Sequence, residues 1–189
     1  MTVRAMPVAA PTKAVTYAEY RALPENGKRY EVLEGELYMT AAPVLNHQRV
    51  LRTLLGILDR HIQATKWGEI LPAPVELYLD ERNFVEPDIV AVSNARRSIL
   101  REKNIQGAPD LVIEIISPST ARTDRIRKAK LYAKHQIPHY WIVDYADKTL
   151  EAFEWSKGGY VLAAALEEDQ VFEPSLFPDF KIPLQTLWH

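Results

Sequence analysis

A chain of 189 residues with 47% hydrophobic composition is long enough for one substantial core and short for two full domains. Its 23 basic and 25 acidic residues leave a net charge of -2, so no global positive field marks a polyanion partner and any basic surface has to be local. The absence of cysteine excludes disulfides, thiolate nucleophiles and cysteine-ligated zinc, and fits a reducing compartment.

Residues 1–15 carry Pro7 and Pro11 among several alanines without periodicity and read as a flexible leader, with 16–189 as a single domain. The leader has neither a long apolar core nor an Arg-rich amphipathic pattern, and no later stretch approaches about 18 uninterrupted apolar residues. A cytoplasmic protein with no membrane segment is expected. Thr16-Tyr-Ala-Glu19 has the spacing of a capping box and opens a short helix that Pro24 stops. Arg29-Tyr-Glu-Val-Leu33 and Glu36-Leu-Tyr-Met39 form a hairpin about Glu34-Gly35, with Glu31 on its first strand.

From Asn46, a plausible N-cap, to about Lys66, the residues Val50, Leu51, Leu54, Leu55, Leu58 and Ile62 recur at three and four, which predicts a helix with one buried face. Val75–Leu79 alternates as a half-exposed strand, Asp80–Asn83 turns, and Asp88–Val92 follows Pro87 as a further strand. Residues 94–107 are charged and weakly helical. Leu111–Ile116 is apolar on both faces, as an interior strand covered on both sides requires. Ser117–Thr120 breaks it, and a helix runs from about Arg122 to His135. Tyr140–Val143 is another buried strand, and Leu150–Trp155 with Tyr160–Ala165 makes a last hairpin about Gly158-Gly159. The tail, with Pro174, Pro178 and Pro183, reads as coil with short turns. Strand, helix and strand over 111–143 suggest a crossover and hence a mixed α/β sheet.

Glu114 is the residue this pattern does not explain. An ionised carboxylate inside an apolar strand costs several kcal/mol, on the order of its desolvation penalty, unless a cation or dense hydrogen bonding meets it. Asp88 lies on another interior strand. If the two strands are neighbours, their carboxylates can converge on one hard divalent ion such as Mg²⁺ or Mn²⁺; alternatively each pairs with an arginine or caps backbone amides. The predicted helix from Arg122 carries Arg122, Arg125, Arg127, Lys128, Lys130 and Lys134 against Asp124 alone. That concentration suits a phosphate backbone, and equally a solvated face. Lys128 beside Tyr132 and Lys130 beside Ile126 both stand at the margin of the apolar arc, so the wheel does not choose between them. His135 and His139 flank Pro138 and make a poor zinc pair. His47 reads as a surface or capping residue, and Tyr140 and Trp141 as core. Ser117 and Ser119 lack the glycines of a nucleophile elbow.

Pro87-Asp88 followed by Glu114-Ile-Ile116 resembles the Pro-Asp…(Asp/Glu)-x-Lys signature of a large nuclease superfamily, with Ile116 in the lysine position. The longer pattern is similar to the Uma-type restriction endonucleases, in which the lysine has moved onto the following helix. It comprises Arg29-Tyr-Glu31-Val-Leu-Glu-Gly-Glu-Leu37, His47-Gln48, Pro87-Asp-Ile89, Glu114-Ile-Ile-Ser-Pro-Ser-Thr120, Asp124-x-x-x-Lys128-x-x-x-Tyr132 and Pro138–Asp144. Glu34 stands where the family usually has Asp, and His139 where it often has Glu. The resemblance spans roughly 16–185 and implies a restriction-endonuclease-like mixed β-sheet flanked by helices, with additional β-hairpins. It implies catalytic roles for Glu31, Asp88, Glu114 and Lys128, selecting Lys128 over Lys130. Asp88 and Glu114 would hold Mg²⁺ (or Mn²⁺), with Glu31 in the outer shell or on a second cation, and Ser117, Thr120, Arg122 and Arg125 would meet substrate phosphates. The expected activity is metal-dependent hydrolysis of phosphodiester bonds in DNA by a homodimer or higher homo-oligomer. A binding protein of the same fold with little or no cleavage is the main alternative. A glycosidase with paired carboxylates, which needs no basic helix, is a third.

Overall fold

A computed structural model describes residues 14–24, 29–40, 42–116 and 123–188, so nearly all of the predicted leader lies outside the described residues. In chain order the elements are α1 (Tyr17–Arg21), β1 (Arg29–Leu33), β2 (Glu36–Thr40), α2 (Leu45–Thr65), β3 (Gly68–Pro72), β4 (Leu77–Asp80), β5 (Asn83–Val85) and β6 (Ile89–Ser93). A 3₁₀ segment (Asn94–Ile99), β7 (Ile105–Gln106) and β8 (Leu111–Ile116) follow. A π-helical turn (Thr123–Lys128) runs directly into α3 (Ala129–Lys134), followed by β9 (His139–Asp144), β10 (Thr149–Ser156), β11 (Gly159–Glu167), β12 (Val171–Phe172), β13 (Ile182–Pro183) and a closing 3₁₀ turn (Leu184–Leu187).

The local signals act as expected at α1 and the first hairpin. Thr16 and Glu19 form the reciprocal capping box. The β1–β2 turn holds Glu34 at φ 55° and Gly35 at φ 84°, the left-handed pair that a two-residue hairpin needs. At α2 the start differs: the N-cap is Val44, which has no side chain to cap with, and Asn46 lies inside the first turn, accepting from Arg49 Nη1 at 2.9 Å. Five short strands escape the sequence pattern: β7, in the stretch read as weakly helical, β12 and β13, in the tail read as coil, and β3 and β5. β3 is bounded by Gly68 and Pro72 and buries only Ile70, as an edge strand can, and the three residues of β5 lie in and just after the stretch read as a turn.

Two sheets carry the fold. One has the order β11-β10-β9-β8-β6-β3, with β8 and β9 parallel and the other pairings antiparallel. The second has the order β2-β1-β5-β4-β7. Alternation along β8 divides the interior. Ile113 and Ile115 pack with Leu54, Leu58 and Ile62 of α2, whereas Val112 and Ile116 pack with Leu131 and Tyr132 beyond the opposite face. The position of Glu114 therefore puts its side chain on the α3 side. The chain passes from the second sheet to the first between Val85 and Ile89, and that crossing contains Glu86, Pro87 and Asp88. Among the described residues no helix is long and apolar enough to cross a membrane.

Two glycines give opposite expectations. A Cβ on Gly68 would sit 2.1 Å from the Val92 carbonyl oxygen, so Gly68→Ala should push β3 off β6 and cost about 1–3 kcal/mol. A Cβ on Gly56, inside α2, meets nothing within 4 Å, so Gly56→Ala should stabilise the fold by about 0.5–1 kcal/mol. Urea unfolding midpoints of the two variants, moving in opposite directions, check both.

Candidate active site

Glu31, Asp88, Glu114 and Lys128 come from four places in the chain and meet where the two sheets join. Glu31 is on β1, Asp88 just before β6, Glu114 inside β8, and Lys128 closes the π-helical turn. All four are buried, and so is Asp124. Lys128 Nζ lies 2.9 Å from Glu31 Oε1, 3.0 Å from Glu114 Oε1 and 3.5 Å from Asp124 Oδ1. Glu31 Oε1 also accepts the Glu86 amide at 3.0 Å. The Tyr132 hydroxyl donates to Glu114 Oε1 at 2.7 Å, and Tyr140 OH donates to the Asp124 carbonyl at 3.0 Å.

The turn from Thr123 to Lys128 is wound more widely than an α-helix, a form that often accompanies functional sites. It runs into α3 with Asp124, Lys128 and Tyr132 all buried, while Lys130 is exposed. Burial and spacing thus separate the two lysines that the wheel left equivalent, and it is Lys128 that reaches Glu114.

Asp88 is held differently. Its Oδ2 accepts the Ile115 amide at 2.8 Å and lies 3.1 Å from His47 Nε2. β6 and β8 are antiparallel neighbours with Ile89 opposite Ile113, so the acid before β6 and the acid inside β8 approach across one strand pair. His47, expected at the surface, is buried, and its Nδ1 has no hydrogen-bond partner among the described residues. The bonds just given use one oxygen of each acid, Oδ2 of Asp88 and Oε1 of Glu114.

Four carboxylates share this space with a single ammonium group. Burial raises the Glu114 pKa well above the ordinary carboxylate range; Lys128 opposes the shift, and Asp124, Asp88 and Glu31 add to it. For Lys128, burial alone would favour the neutral amine. Glu114, Glu31 and Asp124 more than reverse that and hold it charged. Burial, reinforced by Glu114, raises the Tyr132 hydroxyl far above its usual value, so it stays a neutral donor.

Hard oxygen donors, burial and an excess of negative charge are what Mg²⁺ or Mn²⁺ asks of a site. Among the described residues no three His, Asp or Glu side chains are grouped to hold a metal ion, and the ammonium of Lys128 fills the gap between Glu31 and Glu114. Asp88 and Glu114, each bonded through one oxygen, are the two carboxylates that would be left to hold such an ion beside water and phosphate.

The remaining candidates part company with this group. Ser117, Thr120 and Arg122 lie outside the described residues. Arg125 pairs with Asp144 at 3.5 Å and with Glu151, on β9 and β10. Arg127 meets Glu36 at 3.2 Å and covers the Tyr38 ring at 5.3 Å, and Lys134 is 3.9 Å from Asp80. Apart from exposed Lys130, each described cation of the segment thus has an acid beside it. His47, Asp124 and Tyr132 are the members of the cluster that residue chemistry alone did not single out. The four-residue spacing of Asp124, Lys128 and Tyr132 was a usable signal, whereas for His47, in the first turn of an amphipathic helix, the family pattern was the one signal.

Comparison with known proteins bears on the family and the fold. Residues 17–185 match the family model of Uma2, described as "Putative restriction endonuclease". The chain is 26% identical over 142 residues to "Uncharacterized protein sll1609" of Synechocystis sp. (strain ATCC 27184 / PCC 6803 / Kazusa), covering 74% of this chain and 80% of that protein. A crystal structure of a putative nuclease belonging to DUF820, from Anabaena variabilis ATCC 29413, shares the fold with a TM-score of 0.76. It is 19% identical, and the match covers 92% of this chain and 97% of that one. The chain belongs to the Uma2 family of putative restriction endonucleases.

Proposed function

We propose that this protein is a metal-dependent endonuclease that hydrolyses phosphodiester bonds in DNA, with Mg²⁺ as its cation, and that it works in the cytoplasm as a homodimer. The observation that carries the reading is the bond between Lys128 and Glu114. Ile116 occupies the place where the superfamily signature has its lysine, and a buried lysine from the next segment reaches the same acid at 3.0 Å. Family membership supports the reaction class. Glycoside hydrolysis by paired carboxylates gives a buried lysine on Glu114 no role, whereas phosphodiester hydrolysis does.

In this reading Asp88 and Glu114 hold the cation. When bound, the cation supplies Lewis acidity toward the scissile phosphate and lowers the pKa of a bound water. The Ile115 amide and His47 fix Asp88 through Oδ2, and Tyr132 fixes Glu114 through Oε1. Lys128 orients the attacking water or offsets charge developing on phosphorus. Glu31 anchors Lys128 and belongs to the outer shell of the cation. Ser117, Thr120, Arg122 and Arg125 remain the proposed phosphate contacts, Arg125 after exchange from its acid partners.

Nicking of supercoiled plasmid with Mg²⁺ or Mn²⁺ tests the proposal. Asp88→Ala, Glu114→Ala and Lys128→Ala should each lower the rate by about 10² or more. Lys130→Ala should retain activity, and Tyr132→Phe should lose about tenfold through a less well held Glu114. Equal nicking by all of these proteins would mean a contaminant and end the enzyme reading. Binding without nicking under any divalent cation would favour the alternative of a nucleic-acid-binding protein.

The raised pKa of Glu114 gives a separate expectation. The folded state holds that proton more tightly than the unfolded chain, so cation-free stability should fall as pH climbs from the ordinary carboxylate range toward the raised value. Over the same range Mn²⁺ affinity should rise with pH, with proton release on binding, because metal and proton compete for one carboxylate. Melting curves and Mn²⁺ titrations across pH check both trends, which Glu114→Gln should flatten.

A further inference from the structure

The cations of the segment from Thr123 to Lys134 are largely matched by acids, but those of α2 are not. In the 21 residues of that helix Asp59 is the single acid, against Arg49, Arg52 and Arg60. At about 100° per residue, Arg49, Arg52, Gly56 and Arg60 fall within an arc of roughly 80°, diametrically opposite the Val50, Leu54 and Leu58 face that enters the core. All three arginines are exposed. Among the described residues none of them lies within ion-pairing distance of an acid, whereas Arg29, Arg96, Arg97, Arg125 and Arg127 each do. Arg49 bonds only to Asn46, within its own turn.

Two further observations give the stripe a use. Gly56 lies at its centre, where a Cβ would meet nothing, so packing does not require a glycine there and the helix loses stability by having one. What a glycine offers is close approach to the backbone from outside. Beside it runs a groove of about 490 Å³, bounded by Arg52, Gly56 and Arg60 on the helix and by Pro183 and Thr186 on the C-terminal segment. Along the axis the stripe starts in the same turn as His47, which bonds Asp88, although Arg49 and His47 leave the helix on nearly opposite sides. From there to Arg60 it extends about 16 Å along the axis.

We propose that the exposed face of α2 is the surface on which a DNA duplex lays its phosphate backbone, with Arg49, Arg52 and Arg60 on phosphates and Gly56 at the point of closest approach. This rests on the nuclease reading. The helix has no Phe, Tyr or Trp to stack unpaired bases, which disfavours single strands. Between Arg49 and Arg60 the stripe has no large apolar residue, and exposed Leu45 stands one turn ahead of it, too little apolar surface on this face to enter a lipid layer. Guanidinium groups without acid partners match phosphate in charge and in bidentate geometry.

Fluorescence anisotropy with a labelled duplex in Ca²⁺ buffer, over a salt series, tests the surface with the full chain. The triple Arg49→Gln, Arg52→Gln, Arg60→Gln variant should bind ten- to a hundredfold more weakly, with the slope of log K against log salt reduced by about 2–3. Gly56→Gln should also weaken binding, and Arg97→Gln, whose partner is Glu69, should not. Should the triple variant fail to fold, Arg52→Gln alone should reduce the slope by about 1. Unchanged affinity and slope in folded variants would overturn the inference, as would tighter binding to anionic vesicles than to the duplex. Hydrolysis of bis(p-nitrophenyl) phosphate separates this inference from the reading beneath it. A triple variant that keeps that hydrolysis and loses the duplex supports the surface. A wild type that binds the duplex through these arginines but hydrolyses neither plasmid nor the small ester supports the surface and removes the nuclease.

Discussion

The ammonium of Lys128, enclosed by Glu31, Glu114 and Asp124, is the interaction on which the centre of this molecule depends. It joins β1 of one sheet to β8 of the other and to the segment that follows β8, beside the apolar cluster in which Leu33, Ile116 and Leu131 of the same three pieces pack. A buried cation with three carboxylates is a costly arrangement that persists only while its partners are present, because removing one partner leaves an uncompensated charge in the interior. Energetically a hydrophobic trio would serve the fold as well. Conserving stability is therefore a poor explanation for the cluster, and chemistry is a better one.

The acids around that ammonium are arranged with an asymmetry that matters. Asp88 takes the Ile115 amide and His47 on Oδ2, and Glu114 takes Lys128 and Tyr132 on Oε1. Each carboxylate is oriented through one oxygen by groups that are themselves buried. This is how an oxygen-donor site is prepared for a cation that brings most of its own water. Burial, together with the negative excess left after Lys128 is counted, pushes the Glu114 pKa up in the cation-free protein, and a divalent ion held there would oppose that shift.

Charge counting along the chain points to the segment after β8 as the basic surface, and the folded protein redistributes that role. Arg125 and Arg127 find acids on β9, β10 and β2, and Lys128 turns inward. The arginines of α2, diluted in sequence among neutral residues, have no acid partners among the described residues. Whether a cation is available to a phosphate depends on what the rest of the chain brings beside it, and a one-dimensional charge run carries no such information.

Much of the fold was legible because its signals are local. The Thr16 and Glu19 capping box, the positive-φ turn at Glu34-Gly35, the three-and-four spacing along α2 and the double-faced apolar run of β8 each act over a few residues. β3 and β5 were not legible, since a strand with one buried residue or only three residues in all owes its existence to the neighbours it pairs with. In the site, the oddity of Glu114 and its possible partnership with Asp88 were readable from burial chemistry, and family resemblance added Glu31 and Lys128. The choice of Lys128 over Lys130 came from the resemblance and not from the helical wheel, and the burial of His47 was not derivable from pattern. The sequence by itself determined the apolar faces that had to be inside and that a buried acid there needed a cation or dense hydrogen bonding. Only the tertiary structure brought Lys128 to that acid, because that depends on the crossing of two sheets and the winding of one turn, contacts between residues up to about a hundred positions apart that no local propensity encodes.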